Sequence, residues 1–133
     1  THVTYLTPNQ HEAGVLSGVK TVTRDNASAV AKKLLSMGPE VVLLKLGSEG
    51  LLLATEKEEV FIPGHEVPVV DTTGAGDCFA GAFAARILAG DEPTAAASYG
   101  NLAAALSVTR PGAATAPSPQ EVWDFAQERG VDL

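Results

Sequence analysis

A chain of 133 residues fits one domain, residues 1–133, with a sizeable core; at 45% hydrophobic but only 5% aromatic, that core must be built from Val, Leu and Ala. The net charge of −7, with no basic stripe, argues against a nucleic-acid surface but not against phosphate ligands, which backbone amides and a metal can hold without Lys or Arg. A single cysteine excludes an internal disulfide framework, and the lack of a signal peptide, lipidation motif or apolar run of membrane-spanning length leads to the expectation of a soluble, cytoplasmic chain.

Val3 to Thr7 alternates weakly and predicts a strand, ended by Pro8. Asn9-Gln10-His11-Glu12 stands at the mouth of a short helix that runs through Val15 and Leu16 to Gly18. Asn9 and Glu12, three apart, share a helix face where a strand has just ended. The same pair also reads as an Asn cap with Glu at the third helical position, and the residues alone leave both readings open. Thr23 to Asn26 opens a second helix, predicted to reach Met37 and stop at Gly38-Pro39, with Ala27, Val30, Ala31, Leu34 and Leu35 at helical spacing and Lys32 and Lys33 facing water. Val41 to Leu46 is a continuous apolar run too short for a typical helix, hence a central buried strand. It turns through Gly47-Ser48-Glu49-Gly50 and returns as Leu51 to Ala54. A charged turn at Thr55 to Glu59 leads to a short strand, Val60 to Ile62, broken by Pro63-Gly64.

The next stretch, Val69-Val70-Asp71-Thr72-Thr73-Gly74-Ala75-Gly76-Asp77-Cys78-Phe79-Ala80-Gly81, carries the chemistry. Val67, Val69 and Val70 predict a strand, Thr72 or Thr73 a helix cap, and Gly74 and Gly76 a tight turn. With no bulky side chains in the way, the amides of Gly74, Ala75 and Gly76 can face an anion, backed by the positive end of the helix dipole. A carboxylate beside such a site, Asp77, is electrostatically expensive, and general-base catalysis of phosphoryl transfer explains it: Asp77 takes the proton of a hydroxyl that attacks phosphorus. Glycines at 74, 76 and 81 do not make the dinucleotide fingerprint, whose last position would be Phe79, and no G-x-x-x-x-G-K-[ST] occurs.

Beyond the motif, Phe79, Phe83, Ile87 and Leu88 predict a buried helix face closed by Gly90, and Cys78 reads as a small buried residue. Asp91-Glu92-Pro93 opens another helix; from Ala95 to Leu106 it is dominated by Ala, with Gly100, so it can pack very closely. Asn101 is its polar exception, either a hydrogen-bonded core residue or a ligand contact. Pro111 to Pro119 is the only loose linker, and Ser118-Pro-Gln-Glu121 is a capping box that starts a terminal helix through Trp123 and Phe125 to Gly130.

Asp71-Thr-Thr-Gly-Ala-Gly-Asp77 followed by Cys-Phe-Ala-Gly-Ala resembles the second signature of the ribokinase-like (PfkB-type) carbohydrate kinases, and the resemblance extends from Thr4 to near the C-terminus. It implies an α/β fold, a mainly parallel sheet flanked by helices with its site at the strands' C-terminal ends, and ATP-dependent phosphorylation of a sugar hydroxyl with Asp77 as base. By the same resemblance Thr7 to Ala13 matches the segment whose Asn-x-x-Glu, here Asn9 and Glu12, helps organise Mg²⁺ and the phosphates, often through water. The Gly47–Gly50 turn would lie under the nucleotide. Its first position, often Thr in the family, is Lys45 here, which fits either a phosphate contact or a charge at the sheet edge. Asn101 would lie near the adenine. Carbonyls near Asp71 and Thr73, with those of Ser107, Arg110 and Gly112, would form a monovalent-cation site for K⁺. Ribose is the first expected substrate, because Ser107 to Ser118 is most similar to the ribokinase members, while fructose, other ketoses and nucleosides stay open because the residues that choose among them are absent.

Kinases of this family are roughly twice as long, so the chain is expected to be their C-terminal, nucleotide-binding part, lacking most sugar-binding residues. Self-association, or pairing with the missing half, is expected from the sheet edge this leaves. A rival reading from another class is a truncated, non-catalytic nucleotide-binding or dimerisation module of the same fold.

Overall fold

The structure, a computed structural model, describes residues 4–111 and 117–131. They gather in two compact units, Thr1–Gly64 and His65–Leu133.

In the first unit, β1 (Tyr5–Leu6) is followed by α1 (Gln10–Ser17) and α2 (Ala27–Leu35), and the chain re-enters the sheet as β2 (Val41–Lys45), parallel to β1. This is the helical crossover that parallel neighbours require. A 3₁₀ turn over Gly47–Glu49 then leads into β3 (Gly50–Ala54), and β4 (Glu59–Pro63) follows. The sheet order is β1-β2-β3-β4, with β2–β3 and β3–β4 both antiparallel. Period-2 alternation places Val42 and Leu44 of β2 on one face, opposite Ala54 and Leu52 of β3, and Leu52 in turn is opposite Phe61. That face packs against Ala13 of α1 and against Ala27, Val30, Ala31 and Leu34 of α2, all buried. Asn26 braces the entry to α2 without capping it: its Oδ1 accepts the Thr23 amide at 2.8 Å and its Nδ2 donates to the Thr21 carbonyl at 2.7 Å.

The second unit holds α3 (Ala75–Leu88), α4 (Pro93–Ser107) and α5 (Pro119–Glu128). The predicted close packing of the Ala-rich helix is seen at Gly100, where a β-carbon would lie 3.0 Å from two ring atoms of buried Phe79. On the other side of α4, Tyr99, Leu102 and Ala103 form a core with Val122, Phe125 and Ala126 of α5, and Val67 packs against it. A bidentate pair, Arg86 Nε to Asp91 Oδ2 at 2.8 Å and Nη2 to Oδ1 at 3.0 Å, ties the end of α3 to the turn before α4. Among the described residues no helix is long and apolar enough to cross a membrane.

The expected α/β architecture is present, with differences in detail. The sheet is mixed rather than mainly parallel, since two of its three pairings are antiparallel. Val67 to Val70 forms no strand: Val69 and Val70 are 62% and 61% exposed, and the amides of Val70 and Asp71 both turn to the carbonyl of Val108 rather than to a ladder. α3 is capped by Gly74, in the left-handed conformation, and not by Thr72 or Thr73. Leu88, expected in the buried face of α3, is the helix's last residue and is 89% exposed; Phe79 and Phe83 are buried as expected. The helix at Ala27 ends at Leu35, two residues before Met37.

Gly50 combines a left-handed backbone with a close approach of the neighbouring chain. Its φ is +114°, and a β-carbon there would lie 2.6 Å from the Gly64 nitrogen and closer still to the Ile62 carbonyl oxygen. Gly90 has a similar φ of +100° but open space around it. Gly50→Ala, adding backbone clash to strain, should therefore cost about 3 kcal/mol or more, and Gly90→Ala only about 1 kcal/mol. Urea denaturation of both variants measures the difference; equal losses would show that conformation alone, not the close approach of β4, requires glycine at 50.

Candidate active site

The turn before α3 is held from two directions. The Val108 carbonyl, one residue past α4, accepts the Val70 amide at 2.7 Å and the Asp71 amide at 3.1 Å. The Asp71 side chain then accepts the Thr73 amide at 2.8 Å, the local turn that Asp favours. Gly74 follows with φ +78°, a conformation that costs a residue with a β-carbon, and α3 begins at Ala75. Of the first-turn donors, the Ala75 amide bonds back to the Thr72 carbonyl at 3.2 Å. The amides of Gly76 and Asp77 have no acceptor among the described residues. They are two of the four donors that any helix start leaves unsatisfied, and they carry the positive end of the dipole. Asp77, third in the helix, is exposed, and no hydrogen bond or ion pair among the described residues engages its carboxylate.

The second unit also carries the other residues expected at the site. Asp71 and Thr73 lie on the turn itself, and the Val108 carbonyl ties it to the segment of Ser107 and Arg110. Gly112 falls outside the described residues. Asn101 is half-buried on α4, next to the Gly100 that receives Phe79. Cys78, expected to be buried, is only half-buried; burial pushes its thiol pKa up, opposed by a hydrogen bond with Ser107 and by the charge of Arg110.

The first unit collects a separate set at the C-terminal ends of the parallel strands β1 and β2. Asn9 caps α1 in a full capping box: its Oδ1 accepts the Glu12 amide at 2.8 Å, and Glu12 Oε1 accepts the Asn9 amide at 2.9 Å. The cap reading left open by the sequence is thus present, and both side chains are exposed, with Glu12 Oε2 still available. Lys45 ends β2, its amide donating to the Pro8 carbonyl at 2.9 Å, so it sits beside the start of α1. Gly47, with φ +63°, lies near Gln10, and Gly50 closes the turn onto Leu46 at 2.8 Å. Among the described residues no group of three His, Cys, Asp or Glu gathers to hold a metal. Mg²⁺ is commonly bound by one or two carboxylates together with substrate phosphates and water, and the one available oxygen of Glu12 fits that donor set.

The sequence profile of the pfkB family carbohydrate kinases matches residues 1–121. The chain belongs to this family. It is 38% identical over 119 residues to the ribokinase of Staphylococcus aureus, covering 88% of this chain and 39% of that one. The fold superposes on the structure of Arabidopsis thaliana ribokinase complexed with ribose and ATP with a TM-score of 0.84, at 34% identity, covering 92% of this chain and 40% of that one. A double mutant of Vibrio cholerae fructokinase in fructose, ADP and potassium ion bound form gives a TM-score of 0.79 at 25% identity, over 91% of this chain and 40% of that one. The chain thus spans about two fifths of the length of the relatives it matches.

Two participants escaped the sequence reading. The Val108 carbonyl leaves no trace in a side chain. Glu121 was legible only as a capping residue, yet its carboxylate also meets the Arg110 guanidinium, with Nη1 to Oε1 at 3.5 Å and Nη2 in contact with Oε2. No spacing rule joins residues eleven apart on different elements. The Ser118 amide first, and then Arg110, hold the Glu121 carboxyl below its ordinary 4.5; Arg86 does the same for Asp91, below 3.8. A carboxylate whose pKa is depressed by folding adds stability above its unfolded value and loses it as pH falls through the folded value. The stability gap between wild type and Glu121→Gln should therefore be present at neutral pH and narrow as pH drops below 4.5. Denaturant midpoints measured from neutral to acid pH give that gap, and a gap unchanged with pH would mean the charge contributes nothing.

Proposed function

We propose that this chain is the nucleotide-binding and catalytic part of an ATP-dependent sugar kinase, with Asp77 as general base. The observation that carries the reading is an exposed carboxylate with no other engagement in the first turn of α3, beside amides that lack acceptors among the described residues. Asp77 accepts the proton of the attacking sugar hydroxyl as its oxygen closes on the γ-phosphorus. The hydroxyl oxygen forms the new P–O bond, the bond to the β-phosphate oxygen breaks, and ADP leaves with that electron pair. The amides of Gly76 and Asp77, framed by Gly74 and Ala75, meet the charge on the transferring phosphoryl oxygens. Mg²⁺, when bound, neutralises phosphate charge; Glu12 would hold it through water, with Asn9 fixing Glu12 through the cap.

Lys45, Gly47, Gly50 and Asn101 serve the nucleotide, ATP, in this reading. Ribose is the proposed sugar, supported by the relatedness to ribokinases. Its recognition, and the exclusion of water during transfer, involve the remaining three fifths of the kinase length, with which this chain would pair. The Val108 bridge between the Asp71 turn and the Ser107–Arg110 segment supports a K⁺ site lined by carbonyls of Asp71, Thr73, Ser107, Arg110 and Gly112. A cytoplasmic location follows from the substrates proposed.

Asp77→Asn, in a kinase of full family length carrying this chain, should lower turnover by roughly 10²–10⁴-fold while ATP affinity holds or rises, since a negative charge near the phosphates is removed. Steady-state rates and calorimetric ATP titration test both halves; an essentially wild-type rate would overturn the assignment. Turnover in the same enzyme should increase with K⁺ at constant ionic strength. Equal rates in K⁺ and in a large organic cation would remove the cation site.

A further inference from the structure

We infer that the Arg110–Glu121 pair is a positioning device for the phosphate turn, acting from α5 through the Val108 carbonyl; this rests on the function proposed above. Neither side chain touches a reacting group in that reading. What they do is hold the segment on which the turn leans.

The linkage can be followed bond by bond. α5 is seated on α4 by Val122, Phe125 and Ala126, so Glu121, one position before Val122, has a fixed origin. Its carboxylate is aimed by the capping box: Oε1 accepts the Ser118 amide at 2.9 Å, while the Glu121 amide donates to Ser118 Oγ at 3.3 Å. The same carboxylate grips Arg110 with both oxygens. Arg110 ends the tight turn that follows α4, in which its amide donates to the Ser107 carbonyl and that of Thr109 to the Leu106 carbonyl, each at 3.2 Å. Two residues back, the Val108 carbonyl receives the amides of Val70 and Asp71, and Asp71 orders Thr73 just before the left-handed Gly74.

The reason such a device is needed lies in Val69 and Val70. They are exposed and belong to no strand, so no ladder holds the approach to the turn. The Val108 carbonyl is one of the restraints that set the register of the Gly76 and Asp77 amides, and it sits on a segment whose outer end is held by an ion pair. The pair is partly exposed, at 28% for Arg110 and 44% for Glu121, so its static contribution to stability is small. Its value is in geometry, because a misplacement of about 1 Å far from the chemistry can cost ~10²-fold in rate.

The test is a double-mutant cycle of Arg110→Gln, Glu121→Gln and both together. Gln retains a capping acceptor at the third helical position and leaves every backbone carbonyl in place. In the 133-residue chain, amide hydrogen exchange at Val70 and Asp71 should quicken roughly 3- to 10-fold in each single variant and no further in the double, while Phe83 in the core of α3 stays unchanged. In the full-length kinase each single variant should lower kcat about tenfold with the KM for ATP nearly constant, again without further loss in the double. Unchanged exchange at Val70 and Asp71, or effects that multiply in the double variant, would overturn the inference. So would unaltered kcat in an enzyme that Asp77→Asn does inactivate. A wild-type rate for Asp77→Asn would instead strike the function reading, leaving the exchange result to decide whether the linkage exists.

Discussion

The constraint that organises the second unit is that a helix cannot satisfy its own first amides. α3 begins immediately after a left-handed glycine, with no side chain folded back to cap it, so the donors of Gly76 and Asp77 are left facing outward. Everything around them keeps them that way. Phe79, one turn on, is pinned against the bare backbone of Gly100, which fixes α3 along α4. The chain entering the turn is fastened by its amides to Val108, one residue beyond the end of that same α4. A single helix therefore sets both the axis of α3 and the approach to its N-terminus.

The first unit solves the corresponding problem in the opposite way. α1 begins with a complete capping box, so Asn9 and Glu12 satisfy each other's backbone amides. The bland and the chemical readings of Asn-x-x-Glu are not exclusive. The cap consumes one oxygen of Glu12 and leaves the other available on an exposed side chain in the first turn of α1. A side chain immobilised by a local bond is a better ligand, because less rotamer entropy is lost when it acts.

Much of the α/β order was legible because it is written in local rules. The buried positions of α2, the hairpin through Gly47 and Gly50, and the capping boxes at Asn9 and Ser118 each follow from spacing or turn chemistry within a few residues. The expected strand at Val67 to Val70 failed for a reason of the same kind as its attraction. β-branched residues fit a pleated surface, but a strand exists only where a partner supplies the ladder, and here the amides found a helix-end carbonyl instead. Leu88 kept the helical spacing of a core residue and still lies in solvent, since spacing says which face a residue is on and not whether that position is covered.

The sequence by itself determined the site's chemical inventory: a glycine turn, a carboxylate three residues into a helix, and the absence of a P-loop or dinucleotide fingerprint. It did so because each depends on backbone conformation or residue type within a dozen consecutive positions. Tertiary structure alone decided which amides remain open, that Gly74 rather than a threonine begins the helix, and that the sheet is mixed. It alone joined Asp71 to Val108 and Arg110 to Glu121. Those joins run through a backbone carbonyl, which no side chain announces, and between residues of different elements, whose separation in sequence no spacing rule constrains. The placement of the glycine turn was therefore settled by packing, and its composition by the chain.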